Sequence, residues 1–224
     1  MRHLRTAAAG LCLSLFVSAI PAKASPEAPQ NGVDYVTLAE PQPVQAASKK
    51  VEVVEFFMYH CPVCNAMEPG FAAWVRKQGD NIALRRIHFP STGPNDPEAH
   101  LYLTLEALGK VDAMHAKIFK AVHVDRIRLN RDDAIIDWVS KNGIDRATFV
   151  GAWNSFGVTT RLRQLGKIVS GYKIDSAPSL VIDGRYVTSP SIVNAAIRSN
   201  DRPAVFRAAL QVADVLVDRA AKSK

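Results

Sequence analysis

Cysteine is scarce in this chain: three in 224 residues, at positions 12, 61 and 64. A small fold held together by several disulfide staples is therefore excluded. Histidine is scarce too, and none of His60, His88, His100, His115 and His123 pairs with another at zinc-finger spacing. Past the N-terminal segment no apolar run reaches the roughly 18–20 residues of a membrane-spanning helix. Charge of one sign is not concentrated either. The formal net charge is +7, yet bases alternate with acids in RIRLNRDD and KIDSAP. That is a solvated mixed surface rather than a nucleic-acid face. No repeat or low-complexity tract interrupts the chain. What remains is 48% hydrophobic and 22% charged, enough for a core that needs no staples.

Residues 1–24 stand apart. MRHLR is basic, TAAAGLCLSLFVSAI is apolar, and PAKA offers small residues at Ala22 and Ala24. This is the three-part pattern of a secretory signal peptide, with cleavage expected after Ala24. Cleavage removes Arg2, Arg5 and Lys23 but no acid, lowering the net charge from +7 to +4. It also removes Cys12, so the mature chain keeps only Cys61 and Cys64. An exported protein works where disulfides persist.

The punctuation of the chain gives a coarse order of elements. VDYVTL (33–38) reads as an edge strand. VEVVEFF (51–57) is β-branched and aromatic on both faces, as a central strand would be. A helix is expected to start at the cysteines, with Pro62 in its first turn. NIALRRIHF (81–89) is a further strand. Helix signals then dominate. Asp96-Pro97 opens a helix closed by Gly109, and VDAMHAKIFKAVH is another. Residues 130–143 and 145–157 are each bounded by a cap residue and a glycine, and TTRLRQLGKIV follows. SLVI and RYV flank Asp183-Gly184, a hairpin signal. A last helix is expected from Pro203 to Ala221, capped by Asp201. The fold class is α/β: a sheet domain, residues 25–90 and 167–224, interrupted by an all-helical insertion, residues 91–166.

The pair Cys61-Pro62-Val63-Cys64 has three readings. Zinc needs two more ligands, and the histidines are badly spaced for that. A structural disulfide closing so small a loop restrains the unfolded chain very little. A redox pair explains more. Cys61 falls at a helix N-terminus, where the dipole and unpaired N–H groups favour the thiolate. A low pKa also makes Cys61 a good leaving group, so its disulfide passes readily to another protein. Cys64, one turn further in, would be the resolving thiol. Glu55 sits among apolar neighbours, where burial raises a carboxyl pKa. It could accept and return the Cys64 proton through a water. The ordinary alternative is a salt-bridged strand residue.

The cysteine motif, the buried acid six residues upstream and the proline before the late strand together resemble the thioredoxin fold. With the helical block, the chain resembles the DsbA family of periplasmic thiol:disulfide oxidoreductases. The likeness covers most of the mature chain and is strongest in EFF…CPVC…EP and SAPSLVIDGRYV. It implies that Cys61 is the nucleophile, Cys64 the resolving cysteine and Glu55 the buried acid. It also implies that Pro178 follows a cis bond and faces the cysteines, with the backbone of Ala177 offered to an extended substrate. A bare X-Pro bond is cis in only about 5–6% of cases, so that expectation rests on the resemblance. Two positions depart from the family pattern. Val63 stands where the best-known members carry a thiolate-stabilising His, and Ala177 stands where Val or Thr is usual.

The resulting expectation is a periplasmic oxidase that donates the Cys61–Cys64 disulfide to unfolded, cysteine-containing exported proteins. Apolar surface around His60, Pro62, Val63 and Pro178 would bind them. Neither a metal nor an organic cofactor is needed, and the protein is expected to be a monomer. By resemblance, a quinone-linked membrane oxidase of the DsbB type would reoxidise it. The rivals are a reductase or isomerase of the same fold, and a chaperone-like binding protein whose cysteine pair is incidental.

Overall fold

The computed structural model describes residues 26–47 and 49–224. The expected leader, its cleavage point and Cys12 lie outside the described residues. Among the described residues five strands are present: β1 (Val36–Thr37), β2 (Val51–Phe57), β3 (Ile82–His88), β4 (Ser179–Ile182) and β5 (Tyr186–Thr188). Eight helices accompany them: α1 (Pro62–Gln78), α2 (Pro97–Ala107), α3 (Val111–His123), α4 (Asp132–Lys141), α5 (Arg146–Trp153), α6 (Phe156–Gly171), α7 (Pro190–Ile197) and α8 (Arg202–Ala221). The strands form one mixed sheet in the order β1-β5-β4-β2-β3, in which only β2 and β3 run parallel.

Every residue of β2 is buried, because the strand lies between β3 and β4 with helices on both faces. Its period of two divides the core. Val51 and Val53 pack with Met67, Phe71 and Trp74 of α1 and with Val212 and Leu216 of α8. Val54 and Phe56 join the other cluster, which reaches Leu101, Ile118 and Leu165 of the helical block. Full burial of each such side chain contributes about 1.5–3 kcal/mol. α2 is buried along most of its length and forms the inside of the block. Phe57, at the exit of β2, meets Tyr59, His88, Tyr102 and His115 edge-on at 5.1–5.2 Å, which fastens the strand end to the block.

Several boundaries differ from the sequence expectation, each for a local reason. β1 keeps only two residues of VDYVTL. The cap expected near residue 130 falls at Arg131, which makes no side-chain cap. The helix opened by Asp145 ends at Trp153 and not at Gly157, because Ser155 Oγ accepts from the Val158 N–H and starts α6. Gly157 then sits inside the first turn of α6. α6 runs unbroken to Gly171, two residues past the expected segment TTRLRQLGKIV. α7 is an element the sequence pattern does not announce; Ser189 caps it through the Ile192 N–H, and Pro190 occupies its first turn. No helix of the described residues is long and apolar enough to cross a membrane.

The hairpin between β4 and β5 turns through Asp183 (φ 53°) and Gly184 (φ 65°), two consecutive left-handed residues as a type I′ turn demands. Gly184 is also closely approached: its carbonyl accepts from the Gln42 N–H at 2.8 Å, and a Cβ there would lie 2.2 Å from the Gln42 carbonyl oxygen. Gly184→Ala is therefore expected to cost about 2–4 kcal/mol, read by denaturant unfolding. A loss below about 0.5 kcal/mol would mean that the Gln42 segment moves aside freely.

Candidate active site

The site forms where β2 ends and α1 begins. Cys61 is the N-cap of α1, in extended conformation (φ −75°, ψ 117°), and Pro62 takes the first helical position. The Cys61 Sγ accepts the Cys64 backbone N–H at 3.4 Å. No acidic residue occupies the first turn of α1, so the positive end of the helix dipole is left for the sulfur. Both cysteines are free thiols and buried. The bond with the Cys64 side chain is the largest influence on Cys61. With the backbone N–H groups of Cys64 and Val63 and the charge of His60, it outweighs burial and lowers the thiol to about 6. Cys64 is pushed the other way, first by its bond to Cys61, then by burial, with Glu55 adding to the effect. At neutral pH the pair is a thiolate at Cys61 and a thiol at Cys64.

The late strand faces this pair. The Ala177–Pro178 peptide is cis, and the Cys61 Sγ lies 3.6 Å from the Ala177 carbonyl oxygen, to which it donates only when protonated. Pro178 is buried, Ala177 and Val63 are half-buried against the core, and Pro62 is exposed. A groove of about 310 Å³ opens beside Val63, lined by Pro190, Ser191, Asn194, Val205 and Phe206 among others.

Beneath α1 lies a buried ionic chain. Glu55 shares the β2 face of Val51 and Val53, and the parallel register sets Arg86 of β3 opposite it. Arg86 donates from Nε to Glu55 at 2.7 Å and from a terminal nitrogen to Glu68 of α1 at 3.1 Å. Glu68 in turn lies 3.6 Å from His115 Nε2, and His115 Nδ1 meets the Tyr59 hydroxyl at 3.1 Å. Burial dominates at Glu55 and, with the charge of Glu68 beside it, raises its carboxyl from 4.5 to about 7 against the pull of Arg86. The two sequence readings of Glu55, buried titratable acid and salt-bridged residue, thus both apply.

His60, expected on the rim beside the cysteines, keeps a half-exposed ring there, and that ring meets Glu98 of α2 at 2.6 Å. Glu98, Arg86, Glu68 and His115 are site residues that sequence reading missed. Arg86 meets Glu55 only through the strand register, and Glu98 lies in the first turn of α2 behind the Asp96 cap, with nothing local to mark it as part of the site.

Residues 95–211 match the model of the DSBA-like thioredoxin domain. The chain is 39% identical over 184 residues to the thiol:disulfide interchange protein DsbA of Burkholderia cepacia, covering 82% of this chain and 87% of that one. It is 33% identical over 220 residues to the protein of the same name from Bordetella parapertussis, covering 98% and 97%. Among solved structures it resembles the oxidoreductase DsbA of Xylella fastidiosa, with a TM-score of 0.73 at 26% identity, over 86% of this chain and 97% of that one. The crystal structure of Pseudomonas aeruginosa DsbA is similar as well, with a TM-score of 0.70 at 28% identity, covering 86% and 96%.

Proposed function

This chain belongs to the DsbA family and is a protein thiol:disulfide oxidoreductase; from that premise we propose that it runs as an oxidase, passing the Cys61–Cys64 disulfide to exported proteins in the periplasm. The observation that carries the direction is the unequal acidity of the two thiols. A stabilised Cys61 thiolate favours the dithiol form, so the disulfide is readily given away. A substrate thiolate attacks the Cys61 sulfur and breaks the Cys61–Cys64 bond. Cys64 leaves as a thiolate and takes up a proton. Glu55, at about 7, holds that proton over the neutral range and delivers it through a water. A second substrate thiolate then attacks the first substrate sulfur. A substrate disulfide forms and Cys61 departs as a thiolate, the better leaving group of the two.

The groove beside Val63 and the Ala177 carbonyl suit an extended, unfolded chain held by backbone contacts with little sequence preference. The chemistry asks for no metal or organic cofactor. A quinone-linked membrane oxidase of the DsbB type would restore the disulfide by removing two electrons, with the one proton of Cys64 released as the S–S bond forms.

The test is the equilibrium of the Cys61–Cys64 pair with glutathione. A potential well above that of the glutathione couple is expected. The lowered Cys61 pKa stabilises the dithiol protein fully above the unfolded thiol's pKa of 9.0, and this is lost as pH falls through about 6. The oxidising advantage should therefore shrink progressively between pH 9 and about 6 and level off below. A strongly reducing potential would reverse the direction and leave a reductase of the same fold.

A further inference from the structure

The two residues between the thiols, Pro62 and Val63, carry no ionisable group. Charge beside Cys61 comes instead from His60, and the way His60 is held is specific. One oxygen of Glu98, Oε2, accepts the His60 backbone N–H at 3.1 Å and meets the His60 Nδ1 at 2.6 Å. Glu98 fixes both the loop and the ring orientation from a nearly buried position, with 8% of its side chain exposed against 45% for His60. Behind it, His88 Nε2 lies 3.6 Å from the same oxygen and accepts the Tyr59 N–H at 3.1 Å, which anchors the residue before His60.

We propose that Glu98 is a positioning residue for disulfide exchange: from the helical block it holds His60 as a cation beside Cys61, in place of a charge within the motif. The proposal rests on the reading of Cys61 as the exchanging thiolate. Acidity runs in the same direction. Burial pushes Glu98 up, but its contacts with His60 and His88 outweigh this and hold the carboxyl at about 2. The bond to Glu98 is the largest influence on His60 and raises its pKa. The charge of His60 in turn lowers Cys61. The other groups around His60 are Asp96 of α2, Ser91 with its hydroxyl 3.5 Å from Nε2, and Arg126 and Arg128 across a cavity of about 430 Å³. The two arginines oppose the imidazolium from across that space, whereas Glu98 touches it.

The test is a pH titration of the Cys61 thiolate by ultraviolet absorbance, paired with the glutathione equilibrium, on the wild type, Glu98→Gln, His60→Gln and the double variant. Each single change should raise the Cys61 midpoint by roughly 0.5–1 pH unit, about a two- to fivefold loss of thiolate at pH 6. The glutathione equilibrium should move by a similar factor toward a weaker oxidant. The double variant should match the singles, because both remove one cation. His60→Lys in the Glu98→Gln background should restore a low midpoint.

The sign is diagnostic. Removing a negative charge near a thiol would by itself lower its pKa, so a fall in Glu98→Gln overturns the proposal. An unchanged midpoint in folded His60→Gln overturns it equally, and that exposed position is the control if Glu98→Gln fails to fold. The thiolate titration is independent of electron-flow direction. A reducing potential with the predicted midpoint changes would sink the oxidase reading alone.

Discussion

Cys61→Ala should reduce disulfide exchange with a protein thiol to the rate of buffer alone, while Cys64→Ala should accumulate covalent adducts at Cys61. The asymmetry follows from the site. Cys61 caps the helix, contacts the Ala177 carbonyl at the substrate side and is the thiolate at neutral pH. Cys64 lies a turn deeper and is held as a thiol. Without Cys61 no sulfur is placed to form the mixed disulfide. Without Cys64, a mixed disulfide at Cys61 has no internal thiol to resolve it. Mass analysis under non-reducing conditions reads both outcomes. Adducts trapped by Cys61→Ala, and not by Cys64→Ala, would exchange the two roles.

A second large effect is expected at Glu55. Glu55→Gln should make the reduced protein more stable near pH 8 by about 3 kcal/mol and slower in exchange. The unfolded carboxyl loses its proton near 4.5, whereas the folded one keeps it until about 7. Between those values the folded state binds more protons, so stability falls as pH rises. Every pH unit separating the two midpoints is worth about 1.4 kcal/mol. Glutamine binds no proton, so the two stability curves should part between pH 4.5 and 7 and run parallel above. Arg86 also bonds Glu68, at 3.1 Å in the native chain, and so is not left without a carboxylate by the substitution. The slower exchange would come from losing the group that serves Cys64. A variant that is less stable near pH 8 would mean that the Glu55–Arg86 pair is a net stabilising ion pair, as removal of one buried partner commonly reveals.

What the sequence disclosed was governed by short-range rules. The β-branched and aromatic residues on both faces of VEVVEFF, the proline after Cys61 and the Asp183-Gly184 turn each act within a few residues, and β2, α1 and the β4–β5 hairpin followed. α7 escaped because Ser189-Pro190 comes straight after a strand and SIVNAAI is apolar enough to read as either element. The α5–α6 break escaped because Gly157 looked like a terminator, while the operative signal was Ser155 capping three residues ahead. At the site, the thiols and the acid could be named from spacing and resemblance. Their partners could not, since Arg86 meets Glu55 only through strand register and Glu98 meets His60 only through the packing of the helical block.

Both faces of the sheet carry complete cores, and the described residues hold their two cysteines as free thiols with those cores already closed around them. The fold therefore does not depend on the product it makes. A molecule can reach its native shape before any oxidant has acted on it, and the described residues hold no third thiol to be cross-linked by mistake. A supplier of disulfides built in this way escapes the circularity of needing one in order to exist.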